Sequence, residues 1–514
     1  MNRTAITLAA AVAALAAVTG FAVVAAPSSD GATTRQAAAR LPVERSSLVC
    51  PAPSTSDIAE TRYTAFTPAG KGGGTAGGAR LLPSGTGPGT DAKKDGKDGK
   101  DSKDGKTKGG APDSGKPVAE LKQPGKPVTA DASGGDSPAL IGSADGPLAP
   151  GWTAQQTTTV DAGGSRGVLG TNCTAPDTDF WFPGASTAAS RQDYVHLTNP
   201  DDSAAVADIE LYGKDGAIKS EVGEGITVPA RSTVPVLLST LTPDPAENLT
   251  VHVSTRSGRV GAVVQSLDDK LGSDWIPASV APARSLVLPG IPADATSVRL
   301  VAFAPGSDDV DLKVRLAGAD GTITPAGHET LHVKAGMTAS ADLGDVTKGA
   351  AGSLVLSQSG GGRATPVAAA LRVVRGKGSK QEVAFIPATG QVGERASVAD
   401  NRSKGSVLSL TAPGATGKVK VTSSPGSGGG EQVVKTYTVK GGTTLAVKPA
   451  APSGLKGSYA LTVEPEAGSG QVYASRALEL PQDGVPMFTV QTLPDDRGTV
   501  SVPRARQDLS LLDD

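Results

Sequence analysis

Tyr194–Ile218 reads YVHLTNPDDSAAVADIELYGKDGAI, and Ser297–Ile323 reads SVRLVAFAPGSDDVDLKVRLAGADGTI. Each is an apolar, alternating run broken by a Pro-containing turn and closed by Asp-Gly, at Asp215-Gly216 and Asp320-Gly321. Asp-Gly tolerates the positive φ that a tight hairpin demands, so both stretches read as antiparallel strand pairs. Gly405–Gly426, GSVLSLTAPGATGKVKVTSSPG, is a looser third copy without the Asp-Gly.

Working outward, the sequence predicts further short strands at the spacing of an all-β sandwich, near Gly225–Val228, Thr233–Ser239, Leu249–Thr255 and Arg259–Leu267. In NLTVHVST (Asn248–Thr255), Leu249, Val251 and Val253 alternate with Thr250, His252 and Ser254, which gives one apolar and one wet face. FWFPGA at Phe180, LVLPGI at Leu286 and AFIPATG at Ala384 each close an apolar run with a proline. Pro183, Pro289 and Pro387 are 106 and 98 residues apart. A period this long exceeds a propeller blade or solenoid turn and fits one complete sandwich per repeat.

Composition agrees. The 514 residues include Gly 66 and Pro 38, with 3% aromatic and 19% charged residues, too much backbone punctuation for a helical protein. A formal charge of −2 gives no electrostatic drive toward nucleic acid. Four histidines and two cysteines leave few side chains for metal binding or nucleophilic chemistry, and no cofactor is expected.

Arg3 followed by the apolar run Thr4–Pro27 has the layout of an export signal, with small residues suited to cleavage near Ala26; uncleaved, the run is long enough for an anchor. Either reading puts the chain outside the cytoplasm, secreted or anchored through that segment, where Cys50 and Cys173 would form one disulfide. The expected organisation is a signal or anchor (1–26), an N-terminal segment packing on the first sandwich (27–68) and a disordered Gly/Lys/Asp-rich linker (69–150). Three sandwiches (151–285, 286–383 and 384–500) and a tail (501–514) follow. The linker rests on DAKKDGKDGKDSKDGKTKGG (Asp91–Gly110), which has almost nothing to bury.

LPVERSSLVCPAPSTSDIAETRYTAFTP (Leu41–Pro68), together with Tyr194–Ile218 and GITVPARSTVPVLLSTLTP (Gly225–Pro243), resembles an uncharacterised, domain-of-unknown-function group of secreted actinobacterial proteins. The resemblance implies tandem immunoglobulin-like sandwiches and no activity, since no catalytic residues come with it.

No GxSxG elbow or phosphate loop is present. Asp201-Asp202, Asp268-Asp269, Asp308-Asp309 and Asp495-Asp496 read as solvated turn formers, the alternatives being glycosidic carboxylates or calcium ligands. His196 and His252 read as wet-face residues, and His328 and His332 as surface residues of a turn and strand. Phe180, Trp181 and Phe182 are the candidate binding platform for a sugar ring or peptide, set against a role in the first core or its seam with the N-terminal segment. The expected protein is exported and non-enzymatic, offering a β-sandwich interaction surface to an envelope protein or a glycan. The alternatives are a carbohydrate-active or peptidoglycan-modifying enzyme, marked by a convergent acidic pair in a deep cleft, and a modular glycan-binding protein.

Overall fold

The computed structural model describes residues 39–70, 77–85, 115–358 and 365–503. The described residues contain strands and two single-turn 3-10 segments, Gly146–Leu148 and Leu238–Thr240, and no α-helix. Alternation sets the strands: in Val310–Ala317, Val310, Leu312, Val314 and Leu316 are buried while Asp311, Lys313 and Arg315 are exposed. No helix among the described residues is long and apolar enough to cross a membrane.

Pro42–Thr499 is one compact unit, and it holds four sandwiches rather than three. The first repeat runs from strand Asp179–Ala185 to Gly272–Ile276, the second from Ser285–Ile291 to Lys380–Pro387, and the third from Ala396–Asn401 to Phe488–Thr492. Ahead of them an N-terminal sandwich runs from Arg45–Cys50 to Gly167–Asn172. Counting a split fourth strand once, and leaving aside the small two-stranded sheet of Gly429–Glu431 and Ser453–Lys456 in the third repeat, each has eight strands in chain order. Every one pairs them as first-sixth-third-fourth in one sheet and fifth-second-seventh-eighth in the other. All ladders between these strands are antiparallel, and each sandwich buries its own apolar cluster.

This corrects the expected boundaries. Part of the supposed linker is folded: Ala79–Pro83, Ala119–Leu121, Val128–Ser133 and Leu140–Asp145 are strands of the N-terminal sandwich. They are short, and the Lys-Asp-Gly insertion falls between the third and fourth, where Leu81 pairs with Ala119. The insertion interrupts the hydrophobic pattern that would reveal the sandwich. Asp91–Gly110 and the segment 1–26 lie outside the described residues, as do 504–514 of the expected tail. Thr153–Val160 and Gly167–Asn172, assigned from sequence to the first repeat, close the N-terminal sandwich instead.

The proline pattern also misplaced one boundary. Pro183 and Pro289 lie in first strands, where the ladder register shifts at Pro183/Ala185 and Leu288/Ile291, with Gly184 and Gly290 at φ of 102° and 91°. Proline has no N–H for the ladder and glycine takes the positive φ, so the pair makes a bulge. The third repeat makes its shift between Val398 and Asn401 without Pro-Gly. Pro387 instead ends the eighth strand of the second repeat, Lys380–Pro387.

Candidate functional site

The four eighth strands meet in a cycle. Gly167–Asn172 contacts Gly272–Ile276, which contacts Lys380–Pro387, which contacts Phe488–Thr492, which returns to Gly167–Asn172. A second cycle surrounds it, in which the first strand of each sandwich packs on the seventh strand of the next, the third repeat packing on the N-terminal sandwich and that sandwich on the first repeat. Apolar side chains fill the seams. Val374, Val383 and Phe385 of the second repeat join the first-repeat core, and Ala477, Phe488 and Val490 of the third join the second. Trp275 and Val263 of the first repeat pack on Ala59, Val160 and Leu169 of the N-terminal sandwich.

The hub where the eighth strands converge is polar and sealed. Asp274 of the first repeat accepts the Gly170 N–H of the N-terminal sandwich at 3.1 Å and the Thr489 hydroxyl of the third repeat at 3.1 and 3.2 Å. Glu382 of the second repeat lies with Oε2 3.4 Å from Arg166 Nη2. Both side chains are fully buried. Burial holds the Asp274 carboxyl well above the usual carboxylate range; N–H groups of Trp275 and Gly170 and the Thr489 hydroxyl oppose the shift, and Glu382 adds to it. Burial also pushes Glu382 up to about 8, against Arg166 and the Val168 N–H. Space for these side chains comes from glycines: a Cβ on Gly272 would stand 2.7 Å from Glu382 Oε2, and one on Gly170 would collide with Gln491 and Thr489.

The seam between the third repeat and the N-terminal sandwich closes the cycle without a chain connection. Buried Asp400 accepts the hydroxyls of Thr157 at 2.8 Å and Ser458 at 2.9 Å, with Arg402 Nη2 at 3.3 Å. Gln155 accepts from Arg476 at 3.0 Å and from the Asp400 N–H at 2.8 Å. These two arginines, ahead of the two hydroxyls, hold Asp400 below its ordinary range against its burial. Beside this network a cavity of about 360 Å³ is lined by Glu60, Arg62, Asp131, Thr157, Thr159 and Arg402, among others. Its ion pair, Arg62 Nε to Asp131 at 2.7 Å, is partly exposed. A second opening of about 610 Å³ lies along the same seam, between Glu120–Thr129 and Ser427, Gly428 and Gly457.

The expected platform is not a surface. Phe180, Trp181 and Phe182 are all buried in the first strand of the first repeat. Phe180 and Phe182 belong to the first-repeat core, while Trp181 stacks on His252 at 3.8 Å and on Phe303 of the second repeat at 5.4 Å. The three therefore serve core and seam, and the seam is with the second repeat. His196 is likewise buried, edge-on to Trp275 at 5.3 Å, because the N-terminal sandwich covers the face that a lone sandwich would leave wet. His252 is held between Glu210 at 2.7 Å and Asp179 at 3.2 Å, and His332 binds Asp311 at 2.8 Å.

Six of the eight paired aspartates are engaged within their own repeats. Asp201 and Asp202 bind Arg259 and Arg231, Asp268 caps the turn at Lys270 and Leu271, Asp309 accepts the Ala335 N–H, and Asp495 and Asp496 bind the Glu394 N–H and Arg395. Among the described residues no group of three or more His, Cys, Asp or Glu side chains is placed to hold a metal ion. Cys50 and Cys173 form the disulfide, joining the first strand of the N-terminal sandwich to the end of its eighth. It therefore lies within that sandwich rather than clipping a segment to the first repeat. The hub acids escaped sequence reading because Asp274 and Glu382 sit singly in unlike strands, GSDWI and KQEVAFIP. Their shared signal is only a polar residue early in an otherwise apolar final strand.

No curated protein matches the sequence. Residues 128–450, from the fifth strand of the N-terminal sandwich into the third repeat, match the family described as "Family of unknown function (DUF5719)", and the chain belongs to that family.

Proposed function

We propose that this is an exported, non-enzymatic protein whose closed ring of sandwiches presents an interaction surface at the cell envelope or outside the cell. One observation carries the reading. The convergent acidic pair that an enzyme would need, Asp274 and Glu382, is buried in the hub and lines neither opening of the closing seam. An acid sealed from solvent cannot meet a polymer substrate. The disulfide supports an oxidising compartment. What remains for recognition is the outer surface, and its polar recess is the seam cavity at Glu60, Arg62, Asp131 and Arg402.

A glycan is the second reading, favoured by the carboxylate, guanidinium and hydroxyl groups in that recess, which suit a ligand rich in hydroxyls. Cell fractionation, intact-mass determination of the mature N-terminus and a thiol count test the main reading together. Recovery from the envelope or culture fluid with Cys50 and Cys173 oxidised is the expected result. Recovery from the cytoplasm with both thiols free overturns it. Photo-crosslinking from Thr159 in intact cells then asks for a partner at the recess, and an adduct with a glycan rather than a protein selects the second reading.

A further inference from the structure

Glu382 sits where three sandwiches press together. Its Oε2 and Oε1 lie 2.7 and 2.9 Å from the positions a Cβ would take on Gly272 of the first repeat and Gly167 of the N-terminal sandwich. Each neighbouring element accounts for its charged groups. Arg166 approaches at 3.4 Å but also donates to the Gln381 carbonyl at 2.6 Å. Arg375, the cross-strand neighbour of Glu382, turns its guanidinium to Asp294 at 2.7 Å and Glu479 at 3.1 Å. Asp274, on the strand opposite, is a second buried acid whose own value is raised by burial first and by Glu382 in addition. Phe488–Thr492 of the third repeat brings no charged side chain. A neutral carboxylic acid fits this hub, whereas a carboxylate would require hydration that the packing excludes.

We propose that Glu382 is a proton-operated lock on the ring. Protonated, it lets the eighth strand of the N-terminal sandwich seat in the hub. When its proton passes to bulk buffer, the carboxylate draws water into the hub and the ring parts, while each sandwich keeps its own core. It parts between the third repeat and the N-terminal sandwich, because the chain itself ties the other three seams. That closing seam depends on non-covalent contacts alone: Asp400 with Thr157, Asn172 Nδ2 to the Thr492 carbonyl at 3.1 Å, and Arg395 Nη2 to the Pro150 carbonyl at 3.1 Å. The main cores on either side of the break are separate clusters, and the buried apolar contacts that cross it are small ones, Phe66 with Ala399 and Ala460, and Val168 with Val485 and Met487.

The test is small-angle scattering with far-UV circular dichroism on the full chain, from about pH 4.5 to about pH 9.5. Closure should weaken as pH rises above the ordinary glutamate range and stop weakening above about 8, the value to which burial brings Glu382, so the radius of gyration of the wild type should rise within that window with the strand signal unchanged. Glu382→Gln should stay compact throughout. Arg166→Gln, which removes the cation that stabilises the buried carboxylate, should move the midpoint of the rise to lower pH, and it keeps the proposal testable if Glu382→Gln does not fold. A constant radius in the wild type, loss of the strand signal together with expansion, Glu382→Gln expanding as the wild type does, or an upward movement in Arg166→Gln would each overturn the lock.

Discussion

The Asp274 carboxylate group and the Gly170 amide, 104 residues apart in sequence, meet at 3.1 Å across the seam between the first-repeat and N-terminal sandwiches. The contact works because Gly170 has no side chain: a Cβ there would run into Gln491 and Thr489 of the third repeat. Gly170→Ala should therefore destabilise the protein by about 1–3 kcal/mol, the range for overpacking a rigid interior, since the obstructing atoms belong to strands already fixed by their own sandwich. Chemical denaturation checks this. An unchanged midpoint would mean that the hub is loosely packed.

Trp181 should behave as a seam residue. It stacks on His252 of its own sandwich and Phe303 of the next, so Trp181→Ala removes contacts on both sides at once. The expected loss is about 3–5 kcal/mol, as for other buried aromatic truncations. Proteolysis should appear first at the connection between the first and second repeats. A variant as stable as the wild type that lost only partner capture would restore the platform role.

The internal repeat was legible because alternation is local. In strand Leu249–Ser257 the apolar face Leu249, Val251 and Val253 is buried as its pattern implies, whereas Thr250, on the face expected to be wet, is buried too, against Thr338 of the second repeat; the matching stretches at Tyr194 and Ser297 occupy equivalent second and third strands. The N-terminal sandwich was not legible, because its third and fourth strands are short and separated by a tract with no apolar signal. The ring itself was invisible for a different reason. Whether a strand's outer face is wet depends on the neighbouring sandwich, and nothing in DYVHLT tells His196 that Trp275 and the N-terminal sandwich will cover it. The candidate site followed the same logic: rare aromatics were conspicuous, whereas the single acids of the hub acquire significance only when four strands meet.

The disulfide should matter most for the sandwich that carries the insertion. Cys50 and Cys173 are 123 residues apart, and their bond ties the first strand to the end of the eighth. Replacing both with Ser should cost on the order of 4–5 kcal/mol if the chain-entropy account holds, less if the reduced chain keeps structure. Because each repeat has its own core, the loss should be local: hydrogen exchange should rise in Arg45–Asn172 before it rises in the second repeat. Uniform exchange across all four sandwiches would instead mean that the ring unfolds as one unit.

His196 should make the protein acid-sensitive. Its burial beside Trp275 lowers the imidazole to about 4, with the Gln265 side chain opposing, whereas an unfolded chain would titrate near the ordinary value of 6.5. A folded pKa below the unfolded one means that the unfolded state binds the proton more readily. The stabilisation is then fully present above about pH 6.5 and is lost as pH falls toward about 4, a difference of about 3 kcal/mol at most. His196→Gln keeps a polar side chain of similar reach but cannot take up that proton. Urea titrations at neutral pH and near pH 4.5 should show the wild type losing stability between the two, and the variant losing less. Equal losses would assign the acid sensitivity to carboxylates such as Asp400, whose folded-state value is lowered and whose contribution also disappears as pH falls.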